Sequence, residues 1–415
     1  MRIAPVAYLA SYFLSLLGNS VAAVALPLIV LQATGSVLGA GILAASTAVP
    51  AVAAGLFMGV VIDRINRRTS SVVTDLVSAA SLAALPIVDL VTGLDIGWFI
   101  LFGVIGSLGD VPGLTAREAL LPAVVRYSGV SSERLVGIRE ALGALALIVG
   151  PAAAGTLMAL FAGSTVLWLT AAASGAAALL TLLIPGRIGT ISPPADEAVQ
   201  ASGWRMLRDG WRMLLRTPFL LVTTGLGLIS VLVLAPLQGL ILPVYVTLVG
   251  RPEMLGFVLS ALAIGMLLGG SVFAVLGRHG DRRVWLVVGL VGNAIGFVVV
   301  GALASIEAIL VGAVVIGLCG GAFGSLIGVL MIERIPDDMR GRIMGTQNAL
   351  TTAAPAAGFV AAALLTEHLG VEIAALIIIS PWLVALVWGL ATPHLRNLER
   401  RPDAERAEVV VGAEQ

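Results

Sequence analysis

Asp110, Arg117, Glu118, Arg139 and Glu140 are among the ionisable side chains that fall inside or at the edge of long apolar runs. A charge placed in hydrocarbon costs roughly a few kcal/mol or more, so each is a functional candidate. The chemistry open to them is proton transfer and charge pairing. Burial disfavours a carboxylate's anion, so such a group takes up a proton when dry and releases it when rewetted. Asp110 lies near the middle of its run, beside Gly109, Pro112 and Gly113. It reads as a proton or cationic-substrate site; the plainer alternative is a carboxylate hydrogen-bonded at a proline break. Arg117 and Glu118 follow about two turns later on the same run, and Arg139 and Glu140 open the next one, running the other way. Antiparallel neighbours put these four at matching depth. Cross-helix pairing is expected, Arg117 with Glu140, as a static ion pair or as part of a proton relay.

Neutral polar groups are candidates for lining a substrate cavity. Asn19 sits in the first run at a depth similar to that of Asp110. It can face substrate or bond a neighbouring helix. Gln238, Gln347 and Asn348 carry the same two readings, with interhelical bonding the plainer one. The glycines at 317, 320, 321, 324 and 328 read as close helix packing, because no Lys-Ser/Thr follows as in a phosphate loop. The three histidines lie far apart, and Cys319 is the single cysteine, which rules out an intrachain disulfide and a CxxC site. No nucleophile–base pair is evident. The expectation is a protein that is not an enzyme, with no metal, no cofactor and no nucleic-acid partner.

The elements that must position these groups are twelve apolar runs, each near the ~20 residues that a helix needs to cross a bilayer. In the first half they are Pro5–Leu31, Leu38–Ile62, Ser71–Val91, Trp98–Val125, Leu142–Phe161 and Val166–Ile184. In the second they are Phe219–Val246, Met254–Leu276, Val284–Ala304, Ala308–Ile332, Ile343–Leu365 and Val371–Leu390. The chain is 59% hydrophobic and 12% charged, whereas soluble domains are about a quarter charged. A water-soluble fold is thereby excluded.

All 24 basic side chains are arginines, and nearly all fall in or beside the gaps on one side of the series, Arg251 being the exception. The positive-inside bias makes that side, and both termini, cytoplasmic. The fold class expected is an all-α membrane protein with twelve transmembrane helices in two six-helix, pseudo-symmetric bundles. Residues 1–186 form the first bundle and 187–217 a cytoplasmic linker. Residues 218–392 form the second bundle and 393–415 a cytoplasmic tail. In the linker, Trp204, Leu207, Trp211, Leu214 and Leu215 recur at helical spacing opposite arginines, as in a helix lying on a membrane surface. The chain is expected to act as a monomer.

A weak repeat joins the halves: Gly59-x-x-x-Asp63-Arg64 follows the second run and Gly277-x-x-x-Asp281-Arg282 the eighth. Parallel repeats of this kind suit a transporter that rocks about a central site. The loop Gly59–Arg68 resembles the signature loop of the major facilitator superfamily. Gly150-Pro151-Ala-Ala-Ala-Gly155 is similar, in part, to the antiporter motif of its drug exporters. Gly113-Leu-Thr-Ala-Arg-Glu-Ala-Leu-Leu-Pro122, Glu140 and Met339-Arg-Gly-Arg-Ile-Met-Gly345 look like the Tap-type actinobacterial multidrug efflux pumps.

The resemblance implies proton-driven export of amphiphilic antibiotics, tetracycline among them, across a bacterial cytoplasmic membrane. It implies gating by Gly59, Asp63, Arg64, Arg67 and Arg68, with Asp75 a carboxylate these arginines can reach, and by Gly150 and Pro151. It also implies an aspartate after Gly18, where this chain has Asn19, which moves weight for proton handling onto Asp110 and Glu140. Export of a siderophore or other native metabolite, and lipid handling, stay open as alternatives.

Overall fold

The computed structural model describes residues 3–47, 50, 66–130, 132–189, 211–212, 214–277, 281–334 and 337–395. In the first half the helices are α1 (Ile3–Thr34), α2 (Val37–Thr47), α3 (Arg67–Thr92), α4 (Ile96–Ser128), α5 (Ser132–Leu160) and α6 (Gly163–Leu182). In the second they are α7 (Pro218–Leu248), α8 (Met254–Leu276), α9 (Arg282–Gly301), α10 (Ile306–Arg334), α11 (Asp337–Leu369) and α12 (Val371–Ala391). Among the described residues, eleven helices are long and apolar enough to cross a membrane. Of the second expected span, α2 is the described part, and the remainder lies outside the described residues.

Helix is the form expected here, because hydrocarbon offers no water to satisfy backbone N–H and C=O groups. The ends follow local chemistry. The Asn66 side chain accepts from the amides of Arg68 and Thr69 to start α3, and the Asp95 carboxylate accepts from the Trp98 amide to start α4. At the far end of α4, Gly129 adopts a left-handed conformation (φ 69°) that a β-carbon would strain. Midway along α7, between Pro236 and Pro243, residues Leu237–Ile241 form a π-turn that carries Gln238.

The two halves repeat each other's packing. α1 packs on α5 and α6, and α3 on α4 and α6; six helices later, α7 packs on α11 and α12, and α9 on α10 and α12. Outward faces carry exposed Leu179, Val311, Val384 and Val387, a surface suited to lipid rather than water. The glycines of α10 act within the second half: Gly317 and Gly321 abut the α8 backbone at Leu262–Met266. Of the amphipathic linker segment, residues 211–212 and 214–216 are described and helical, with Leu214 buried and Trp211 exposed. The rest of that segment, and the tail from residue 396, lie outside the described residues.

Candidate functional site

The first half holds a buried ionic cluster where α1, α3 and α4 meet. The Arg117 guanidinium of α4 pairs with the Asp75 carboxylate of α3, and the two are 2% and 4% exposed. Arg117 Nη1 also donates to Ser15 Oγ of α1 (3.1 Å), and Ser15 Oγ donates to Asp75 Oδ1 (3.1 Å). Tyr8 Oη donates to the Arg117 carbonyl (3.2 Å). One turn further along α3, Ser78 Oγ donates to Asp110 Oδ1 (2.6 Å), and the Asp110 side chain is half-buried. Asp110 therefore lies in the α3–α4 seam, held by a neutral hydroxyl.

This corrects two expectations. Arg117 does not pair with Glu140, and Asp75 is held by Arg117 and Ser15 rather than by Arg67 or Arg68. The reason is helical geometry: successive residues point ~100° apart, so Arg117 turns inward to α3 and α1 while Glu118 turns toward α5. Arg67 Nη1 donates to the Ala119 carbonyl (2.9 Å), and Arg68 Nη2 to the Leu182 carbonyl (2.6 Å). With Asn66 Nδ2 on the Gly186 carbonyl (2.9 Å), Arg68 fastens the end of α6 within the first half, while Arg67 ties α3 to α4. Cations suit the negative end of a helix dipole.

A second, open cluster joins α4 to α5. Arg139 Nη2 lies 3.2 Å from Glu118 Oε1 and 3.4 Å from Glu140 Oε1. The guanidinium stands 5.3 Å from the centre of the Tyr12 ring on α1. The Arg139 side chain is 15% exposed, those of Glu118 and Glu140 61% and 65%. Cross-helix pairing at matching depth thus holds for Glu118 with Arg139. Since α3 and α6 pack behind α1 and α4, a bridge from α4 to α5 over Tyr12 crosses the other face, toward the second half.

Close packing between the halves falls away from the arginine-rich end. Gly155 of α5 faces the Glu253 carbonyl and Gly256 of α8 faces the Pro151 carbonyl, an approach that leaves no room for a β-carbon. Ser260 Oγ donates to the Ile148 carbonyl (2.5 Å) across the same seam, and a β-carbon on Gly150 would meet Ser20 of α1. The C-terminal segment of α7 also rests on α1, and Gly41 of α2 approaches the Phe359 carbonyl of α11.

In the second half, Gln347 Nε2 donates to Thr224 Oγ1 (2.5 Å), and Gln238 lines a small void between α7, α8, α9 and α10. Asn19 is half-buried on the α1 face that also carries Tyr12 and Ser15. Asn348's side chain, and Gly59, Asp63 and Arg64 altogether, lie outside the described residues. Sequence reasoning missed Tyr8, Tyr12, Ser15 and Ser78. The signal for the α1 residues was present: positions 8, 12, 15 and 19 recur at helical spacing as a polar stripe in an otherwise apolar run. Among the described residues no cluster of His, Cys, Asp and Glu could hold a metal.

The sequence model of the Major Facilitator Superfamily matches residues 8–250 and 237–412. The chain is 31% identical over 387 residues to the multidrug efflux pump Tap of Mycolicibacterium fortuitum, covering 92% of this chain and 94% of the relative. It is 32% identical over 399 residues to the multidrug efflux pump Tap of Mycobacterium tuberculosis (strain H37Rv), covering 94% and 93%. Among solved structures, the nucleoside transporter NupG superposes with a TM-score of 0.78 at 14% identity, over 93% of this chain and 99% of that one.

Proposed function

Because the chain belongs to the Major Facilitator Superfamily, a family of transporters and not enzymes, we propose that it exports amphiphilic small molecules of the multidrug type in exchange for protons. The path runs between the two bundles, which rock so that it opens on one side of the membrane at a time. The membrane is a bacterial cytoplasmic membrane, with the arginine-rich end on the cytoplasmic side by the positive-inside bias.

The observation that carries the proton part is the charge placement. Asp75, Asp110, Arg117, Glu118, Arg139 and Glu140 gather in one bundle, while the interiors of the second bundle's spans hold none. Ionisable groups at membrane depth mark proton and substrate paths. Asp110 and Glu140 are the exchangeable carboxylates, Arg117, Arg139 and Glu118 their partners. Asn19, Gln238, Gln347 and Asn348 offer hydrogen bonds to a mostly apolar substrate. Pro151 and Gly155 close the outer end against α8, with Gly150 packed on α1. The signature residues Gly59, Asp63, Arg64, Arg67 and Arg68 latch that end when it closes. The substrate class follows the Tap relatives and the scarcity of aromatic stacking groups, at 5% of the chain.

The experiment is transport in proteoliposomes with an imposed pH gradient, across a panel of tetracycline-like, macrolide and lipophilic cationic compounds. Wild type accumulates substrate on the acidic side; Asp110→Asn loses the gradient dependence and Glu140→Gln weakens it. Transport indifferent to the gradient in wild type sinks the proton reading.

A further inference from the structure

We propose that Arg117 is a counter-ion shared by two carboxylates, Asp75 and Asp110, and that the spare proton of this triad is the one the transport cycle moves. The proposal rests on the proton-coupled reading above and names Asp75, the buried partner, as a member of the proton site. The place where α1, α3 and α4 meet encloses one guanidinium and two carboxylates. Asp75 has the guanidinium; among the described residues Asp110 has only the hydroxyl of Ser78. One positive charge balances one negative charge. In a dry interior the second carboxylate either carries a proton or leaves a charge uncompensated, which is costly.

The geometry lets one arginine serve both. Asp75 and Ser78 are three residues apart on α3, so the two carboxylates are anchored ~4.5 Å apart along that helix. Asp110, Gly113 and Arg117 follow one another on a single face of α4. Helical side chains lean toward the N-terminus of their helix, so Arg117 leans toward Asp110. Gly113 lies between them on that face and lets α4 approach α3: a β-carbon there would press on Thr74 Oγ1 at 2.8 Å and only touch Arg117 Nη1 at 3.9 Å. Arg117 Nε is buried and donates to no partner, which leaves one N–H for the second carboxylate.

Other charges stand apart. Tyr8 faces the triad from α1, and Arg139 with Glu118 and Glu140 gathers at the Tyr12 ring toward α5. α6, packed on α3, carries no ionisable residue.

The step balances as a proton transfer. The Asp110 O–H bond breaks, its electron pair stays on the carboxylate and the proton passes to a water molecule. The guanidinium then turns from Asp75 to span both anions, Ser15 Oγ–H staying on Asp75. The triad moves from net zero to net −1 and back within each cycle.

The test reads protons directly, by infrared spectra of the purified full chain in lipid nanodiscs at neutral pH. The carboxylic-acid C=O band assigned to Asp110 is the one that Asp110→Asn removes. With a shared counter-ion, Asp75→Asn also abolishes that band, because Arg117 now serves Asp110 alone, and Arg117→Gln keeps it and adds a second carboxylic-acid band from Asp75. Two independent sites leave the Asp110 band unchanged in Asp75→Asn, and that result overturns the proposal, as does the absence of any band sensitive to Asp110→Asn. Should Arg117→Gln fail to fold, the double variant Asp75→Asn with Arg117→Met removes the pair together and the Asp110 band returns; a band still missing overturns the proposal. If the bands behave as expected while wild-type export ignores the pH gradient, the shared counter-ion stands and the coupled-export reading alone falls.

Discussion

Helices α1–α6 and α7–α12 use the same pairings of elements, yet they bury different chemistry. The first set closes around Asp75, Arg117 and the half-buried Asp110. In the second, the charged residues stand at helix ends or in turns, and the interior polar groups are neutral: Thr224 with Gln347, and Asn293 bonded to its own helix. The second half is thus an internal control. It reaches the same architecture without a buried charge, so the ion pair in the first half is no requirement of the fold. Buried pairs contribute little net stability in any case, which leaves function as the physical reason for the expense. The second half has instead let backbones meet, as where Gly317 and Gly321 of α10 lie against α8. It reads as the stiff wall against which a chemically active half moves.

The largest expected effect comes from making the first half resemble the second. Asp75→Leu alone strips the paired carboxylate from a guanidinium that is 2% exposed, leaves it to Asp110 and costs up to about 3–5 kcal/mol, seen as a drop in the unfolding midpoint in detergent. The double variant Asp75→Leu with Arg117→Met removes both charges, recovers most of that loss and folds, but no longer responds to a pH gradient in proteoliposomes. A double variant that still pumps against the gradient dissolves the contrast. Next in size is Gly256→Val, which drives a side chain into the Pro151 carbonyl where the halves cross. Overpacking of about 1–3 kcal/mol against the closed outer end shifts its population roughly tenfold to a hundredfold. Spin-label distances between residues 32 and 248 then lengthen, and an unchanged distribution shows that the α5–α8 crossing does not hold the outer end.

Much of the architecture was legible because hydrocarbon imposes a length and an apolar composition on every span, and arginines mark one side. Twelve runs could be counted directly, and the Gly-Pro segment of α5 stood out by its spacing. Pairings inside the first half were harder. The register of Arg117 against Asp75 depends on how α3 and α4 rotate about their axes, and Asp75 lies 42 residues away in sequence. Depth alone, which is what sequence spacing reports, could not tell Arg117 from Glu118 as the residue that turns inward. Ser78 was invisible for another reason. Serines in spans commonly bond their own backbone, as Ser81 does to the Ser78 carbonyl here, and nothing in the sequence separates them from serines that bind a carboxylate.

A smaller effect tests the open bridge of the first half. Glu140→Gln removes one of the two carboxylates on Arg139, which keeps Glu118 and the Tyr12 ring. With the Glu140 side chain 65% exposed, solvent screening holds the loss of stability within about 1 kcal/mol, and salt reduces it further. Transport should fall nonetheless, with the gradient dependence weakened. A large loss of stability with transport intact marks Glu140 as a structural fastener and leaves the buried triad as the whole of the chemistry.

The smallest effect is expected in the second half. Asn293 is 4% exposed, and its Nδ2 donates to the Gly289 carbonyl one turn back on α9 (2.8 Å). Hydrogen bonds inside membrane proteins average about 0.6 kcal/mol, and a bond within one helix holds no second element. Asn293→Ala should therefore move the unfolding midpoint only slightly and leave both the transport rate and its dependence on the pH gradient unchanged. The informative result is the contrary one. If this neutral substitution far from every interior charge uncouples transport from the gradient, protons or substrate are handled in both halves, and the second half can no longer serve as a control for the first.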